Sequence, residues 1–215
     1  MAVIILKSAN IGRGLIQLLY VSLVASGFQA ILRFFEIAFP QTSVAIVSLK
    51  SQLLFPTLGF NLIILIALLT WIYRLHQDLL QCYSNYPIHP QDALYRFILP
   101  GYNIWGIWNT LISISRYFQA DTGKLQKFGV LLQRLVVSLY GIAIASTLLH
   151  RFVYRKDGVG RISVRELPEP LIVTAIVGKT IIEWLAIIVL ITIVQRIQSA
   201  LQLKFSRRGM SHLSI

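Results

Sequence analysis

The sequence predicts an all-α integral membrane protein with about four transmembrane helices and an amphipathic interfacial helix between the second and third. Three observations predict it. Of 215 residues, 56% are hydrophobic and only 13% charged, against roughly 25% charged in ordinary soluble domains. Four apolar runs are long enough to cross a bilayer, which solvates apolar surface directly. The remaining long segment instead repeats its apolar residues every three or four positions.

The first span covers about residues 15–37 and ends at Phe39-Pro40, where proline cannot continue a helix. Lys7 and Arg13 precede it and Ala25-Ser26-Gly27 supplies small residues, the layout of a signal peptide. The apolar run continues to Ile37, so it reads as an uncleaved helix. Gln41 to Phe55, carrying Lys50, reads as a connector, and Pro56 opens the second span at about 57–73. Trp71, Tyr73 and Arg74 close that span as an interfacial aromatic and basic anchor. The third span is about 128–149 and the fourth about 171–197, entered through Pro168 and Pro170. The fourth helix is expected to continue past Val194 along the inner surface. The whole chain, 1–215, reads as a single transmembrane domain.

Between the second and third spans, Ile104, Ile107, Trp108, Leu111, Ile114 and Phe118 recur on one side of residues 103–118. Asn103, Gly106, Asn109, Ser113 and Arg116 share the other. That pattern suits a helix lying in the membrane interface, with a shallow re-entrant segment as the alternative. Tyr86-Pro87-Ile88-His89-Pro90 and Pro100-Gly101 are turn chemistry. Asp157-Gly158, between Val153-Tyr154 and Ile162-Ser163-Val164, is the signal of a small β-hairpin.

The formal charge is +12, from 20 Lys plus Arg against 8 Asp plus Glu. In a soluble protein it would point to nucleic acid; here the cations flank apolar runs, where they set orientation and meet anionic lipid headgroups. Outside the spans, Lys7, Arg13, Arg74, Arg96, Arg116, Lys124, Lys127, Arg196, Lys204, Arg207 and Arg208 fall on the N-terminal side. Lys50, Arg151, Arg155, Lys156, Arg161 and Arg165 fall on the other. The excess places both termini in the cytoplasm. The one cysteine, Cys82, excludes an internal disulfide.

The polar residues within the spans are the candidate site. Lys179 and Glu183 stand four apart on one helix face, and Arg33 and Glu36 three apart near the end of the first span. A single charge at bilayer centre costs about 2.5–3.5 kcal/mol on insertion scales, so neighbouring opposite charges offset one another. They fit a polar site inside the bundle, and equally self-neutralising pairs that lock packing. Arg134 sits at a span start, where snorkelling is expected, and Gln29 and Asn61 are expected interhelical hydrogen-bonders. Tyr102, Trp105, Trp108 and Tyr117 suit either a binding surface or an ordinary interfacial aromatic belt.

Trp71 and Arg74, then Phe97, Pro100 and Asn103, form a Trp-x-x-Arg element followed by Phe-x-x-Pro-x-x-Asn. In these the chain resembles the bacterial membrane-protein family known as domain of unknown function 4328. The resemblance covers roughly the middle third; Gly101-Tyr102 and Trp105 to Asn109 depart from the family's pattern. It implies a four-helix architecture and a bacterial inner or internal membrane, and it implies no activity, substrate or partner.

No phosphate-binding loop, nucleophile elbow or His-Glu-x-x-His pair is present. His76, Asp78, Cys82 and His89 match no familiar metal spacing, and no cofactor or catalytic residue is implied. The expected role is non-enzymatic: an accessory, scaffold or assembly subunit engaging other membrane proteins or copies of itself. A small homo-oligomeric channel or transporter lined by Lys179, Glu183, Arg33 and Glu36 is the alternative. Expected partners are the bilayer, its anionic lipids, and a second copy or another subunit.

Overall fold

A computed structural model describes residues 6–39, 43–99, 102–156, 162–164 and 169–211. Six helices and one short hairpin make up these residues: α1 (Lys7–Ala38), α2 (Ser43–Cys82), α3 (Pro90–Ile98), α4 (Tyr102–Gln119), α5 (Lys124–Val153), β1 (Tyr154–Lys156), β2 (Ile162–Val164) and α6 (Glu169–Ser211). Helices α1, α2, α5 and α6 are long and apolar enough to cross a membrane.

Helix α2 departs from expectation. It runs unbroken for 40 residues with Pro56 inside it, so most of the expected connector is helical and Pro56 opens nothing. Proline removes one backbone hydrogen bond, a loss that apolar helices of this length tolerate when neighbours re-satisfy the freed carbonyl. Helix α3 is also additional to the sequence reading. Pro90 occupies its start, Asp92 its first turn and Arg96 its last, each favourable at that end. The hairpin pairs Tyr154 with Val164 and Lys156 with Ile162 in antiparallel register, as the Asp-Gly signal predicts; the turn itself lies outside the described residues. Helix α6 does continue well beyond the apolar run, to Ser211.

The chain divides into two compact units, and each long helix contributes to both. Unit 1 takes residues 1–18, 61–137 and 191–215; unit 2 takes 19–60 and 138–190.

Unit 1 has a dense core. Trp71, Leu75 and Leu79 of α2, Ile114 and Phe118 of α4, Leu132 and Val136 of α5, and Ile193 and Ile197 of α6 are all buried. Their four-residue spacing gives each helix one apolar stripe. Small residues let the helices approach. A Cβ at Gly129 would stand 2.6 Å from Gln119 N and 2.7 Å from Ser115 O, both backbone atoms of α4. The Ser115 hydroxyl donates to Gly129 O at 2.9 Å across that contact. At Gly12, a Cβ would fall 1.5 Å from Gln198 Nε2 and 2.8 Å from Trp71 Nε1.

The start of α1 has no acidic residue in its first turn, so its free N–H groups need an acceptor from elsewhere. Asp78 of α2 supplies it. Its buried carboxylate takes Lys7 N at 3.1 Å on one oxygen and Ser8 N at 2.8 Å on the other. The end of α6 is tied down similarly: Lys204 Nζ lies 2.5 Å from Asp121 Oδ2, and Arg207 donates to Thr122 O at 3.2 Å.

In unit 2 only Leu19 and Ala175 are buried among the described residues. Polar links join two pairs of its helices. Gln29 donates to Thr57 Oγ1 at 3.3 Å, linking α1 to α2, and Trp184 Nε1 donates to Ser26 Oγ at 2.9 Å, linking α6 to α1. Trp184 also packs at Gly27, where a Cβ would stand in ordinary contact, 3.5 Å from the indole.

Candidate functional site

The polar residues of unit 2 are arranged differently from the expectation of two local pairs. Lys179 and Glu183 do pair along α6, at 3.5 Å, with the Glu183 side chain 44% exposed. Glu36 does not pair with Arg33. Its carboxylate bonds the Lys50 ammonium of α2 instead, which the reading of 41–55 as a connector had separated from the site. Because α2 is helical there, Lys50 stands on the face it presents to α1. The guanidinium of Arg33 has no partner among the described residues.

Gln29 and Arg33, four apart on α1, face Lys50 and Thr57, seven apart on α2. With Leu32, Leu53 and Leu54 they line a cleft of about 290 Å³. A second hollow, of about 180 Å³, lies between α1 and α6 and is apolar, with Phe34, Thr180 and Trp184 in its wall. The expected hydrogen-bonding role of Gln29 is realised in this unit. Asn61 is exposed, and its amide has no partner among the described residues. Arg134, in unit 1, is exposed.

The residues expected to form a partner surface are scattered in environment. Trp71 is 1% exposed, so it belongs to the core of unit 1 rather than to an interfacial anchor. The absent side chain at Gly12 makes the space it fills. Arg74 is half-buried and donates to Gln77 Oε1 at 3.2 Å. Phe97, Trp108 and Asn109 are half-buried. Pro100 and the side chain of Asn103 lie outside the described residues. Trp105 is 65% exposed. It is joined by exposed Tyr95, Ile98, Leu99 and Ile104 where α3 meets α4, within a run from Phe97 to Ser115 without a charged residue. The buried face of α4 carries Gly106, Thr110, Leu111, Ile114, Ser115 and Phe118. It is rotated from the expected stripe because Gly106 and Ser115, being small, take the closest contacts; a Cβ at Gly106 would be 2.8 Å from Arg96 O.

Unit 1 also holds a buried polar group whose members the sequence did not bring together. The His76 ring packs 5.7 Å from that of Tyr86, which packs 5.1 Å from Tyr117. His76 Nδ1 lies 2.8 Å from Ile72 O; a carbonyl only accepts, so Nδ1 carries the proton. His76 Nε2, Tyr86 OH and Arg96 Nη1 are buried without a partner among the described residues. Burial pushes the Tyr86 phenol well above its ordinary range, against the Arg96 charge that lowers it, so Tyr86 remains a donor at neutral pH. The bare Tyr86 and Arg96 donors and the His76 acceptor suit small polar partners such as ordered water.

Among the described residues, no three His, Cys, Asp or Glu side chains come together to hold a metal ion. Asp78 in particular is engaged at the start of α1. Comparison with protein-family models, with curated proteins and with solved structures yields no match for this chain.

Proposed function

We propose that this chain is a multi-pass membrane protein of non-enzymatic role, an accessory, scaffold or assembly subunit that engages a neighbouring membrane protein or a second copy of itself. The observation that carries the reading is how little of α2 is covered. From Val44 to Thr70 no described residue is buried, and Asn61 on that run has no partner for its amide among the described residues. Lipid covers apolar side chains as well as protein does, but it offers an amide no fixed partner, whereas an adjoining helix does. In this reading both termini are cytoplasmic, the membrane is a bacterial inner or internal one, as the family resemblance implies, and Trp105 with Ile104 inserts at the interface.

The native mass of the protein, extracted from its own membrane in mild detergent, tests this. The expected result is a complex heavier than one chain, with Asn61→Leu reducing its abundance. A monomer in every mild detergent, indifferent to that substitution, overturns it.

The alternative reading, a small homo-oligomeric channel or transporter, is favoured by one observation: the polar cleft containing Arg33 and Lys50. It requires flux through liposomes containing the protein alone, altered by Glu183→Gln.

A further inference from the structure

We propose that the cleft between α1 and α2 is a binding site for a phosphate-type anion, either the phosphodiester headgroup of an anionic lipid or free inorganic phosphate. Charge is the first ground. Of the ionised groups at the cleft, Lys50 is matched by Glu36, and Arg33 is matched by nothing among the described residues. One positive charge is left over in a stretch of helix whose surroundings are apolar. An unmatched cation of this kind is costly in hydrocarbon, and a bound anion offsets part of that cost.

Hydrogen bonding is the second. Gln29 donates one N–H to Thr57 Oγ1, which leaves the Thr57 hydroxyl proton and the second Gln29 N–H to be given elsewhere. With the Arg33 fork and the remaining Lys50 N–H groups, the cleft is rich in donors. Against these donors stand as side-chain acceptors only Gln29 Oε1 and the second lone pair of Thr57 Oγ1 among the described residues that line the cleft. A planar guanidinium beside a hydroxyl matches two oxygens of a phosphate.

Size is the third. A cleft of about 290 Å³ is at the lower edge of the ~300–1,000 Å³ typical of ligand sites, which is room for a headgroup and not for a whole lipid. Leu32, Leu53 and Leu54 in its wall offer apolar surface to whatever chain the headgroup carries. The lipid source and the charge argument rest on the membrane reading above; the hydrogen-bond donors and the size of the cleft do not.

The test uses the full-length protein in nanodiscs. Phosphatidylglycerol retained by the protein in native mass spectrometry is measured in a phosphatidylcholine background, and inorganic phosphate binding is measured by calorimetry in phosphatidylcholine alone. Wild type is compared with Arg33→Gln, Thr57→Val and Arg33→Lys, with Arg134→Gln as a control for general basicity. The lipid source predicts retained phosphatidylglycerol that falls about tenfold in Arg33→Gln, less in Thr57→Val, and partly recovers in Arg33→Lys. The free-anion source predicts the same order in the phosphate titration without selective lipid retention. Either pattern supports the site. Equal losses in Arg134→Gln, or binding in Thr57→Val and Arg33→Lys indistinguishable from wild type in both assays, overturns it. Thr57→Val is close to isosteric, so it remains informative if Arg33→Gln fails to fold.

Discussion

The two units use similar apolar helices and are held together in opposite ways. Unit 1 buries Trp71, Phe118, Leu132, Ile193 and Ile197 in one core and closes its helix ends with Asp78 and Asp121. Unit 2 buries only Leu19 and Ala175 among its described residues. Its helices are joined by Gln29 to Thr57, Trp184 to Ser26 and Lys50 to Glu36. In the membrane reading proposed above, the difference follows from what surrounds apolar surface. In water, removing it contributes about 25 cal/mol per Å², so a core forms wherever side chains can meet. In lipid that gain vanishes, and polar links with close packing decide which helices pair.

Substitutions sharpen this contrast most strongly in unit 1. Gly129→Val drives a side chain into the backbone of α4 at Ser115 and Gln119, and neither atom can swing away. Overpacking of this kind costs about 1–3 kcal/mol and more where backbone must move. We expect the largest fall in melting temperature of all the variants, with a wild-type value contradicting the close approach. Asp78→Ala comes next. It strips two N–H groups at the start of α1 of their acceptor, a loss of about 1–3 kcal/mol, read as lower thermal stability and faster hydrogen exchange at residues 7–10. Asp78→Asn should recover part of it, because one oxygen remains.

In unit 2 the expected effects are smaller. Trp184→Phe keeps the ring and removes the N–H that Ser26 accepts, at about 0.6 kcal/mol in a membrane setting. A drop as large as that of Asp78→Ala would break the comparison, since it would mean that burial, not one polar link, holds Trp184. Smallest is the effect of pH through Asp121. Burial alone would raise its pKa, but the Lys204 hydrogen bond, the Thr122 N–H, the Lys204 charge and the Tyr83 hydroxyl hold it below the ordinary 3.8. A depressed carboxylate contributes stability above its ordinary pKa and loses it as pH falls through the lowered folded value. Thermal stability should therefore be insensitive to this group from pH 7 to 5 and decline below about 3.8. Lys204→Met should shrink that acid-side loss.

Apolar length was the legible part of the sequence. The four runs at 15–37, 57–73, 128–149 and 171–197 lie within α1, α2, α5 and α6. The Asp157-Gly158 signal located β1 and β2 because turn chemistry is local. Helix ends were less legible. Hydropathy marks where a helix stops being apolar, and α2 continues to Cys82 through polar residues such as His76 and Asp78. Helix α3 carried usable signals in Pro90, Asp92 and Arg96, which the turn residues around it masked. The site was legible residue by residue but not in its pairings. Arg33 and Glu36 were identifiable as charges in a span, while the Lys50 partner of Glu36 depends on α2 being helical before Pro56. Trp71 looked interfacial because its burial depends on Gly12, remote in sequence, having no side chain.

The central claim is that the helices of unit 2 are solvated by lipid and the core of unit 1 is not. Spin labels at single cysteines in a Cys82→Ser background test it most directly. Positions Phe28, Ile144 and Ile181 represent unit 2; Thr122, Lys127 and Gln202 represent unit 1. The account predicts that in bilayers oxygen relaxes the first three labels far more than a water-soluble nickel chelate does, and that the order reverses for the second three. Nickel access at Phe28 and Ile181 equal to that at Lys127 would contradict it.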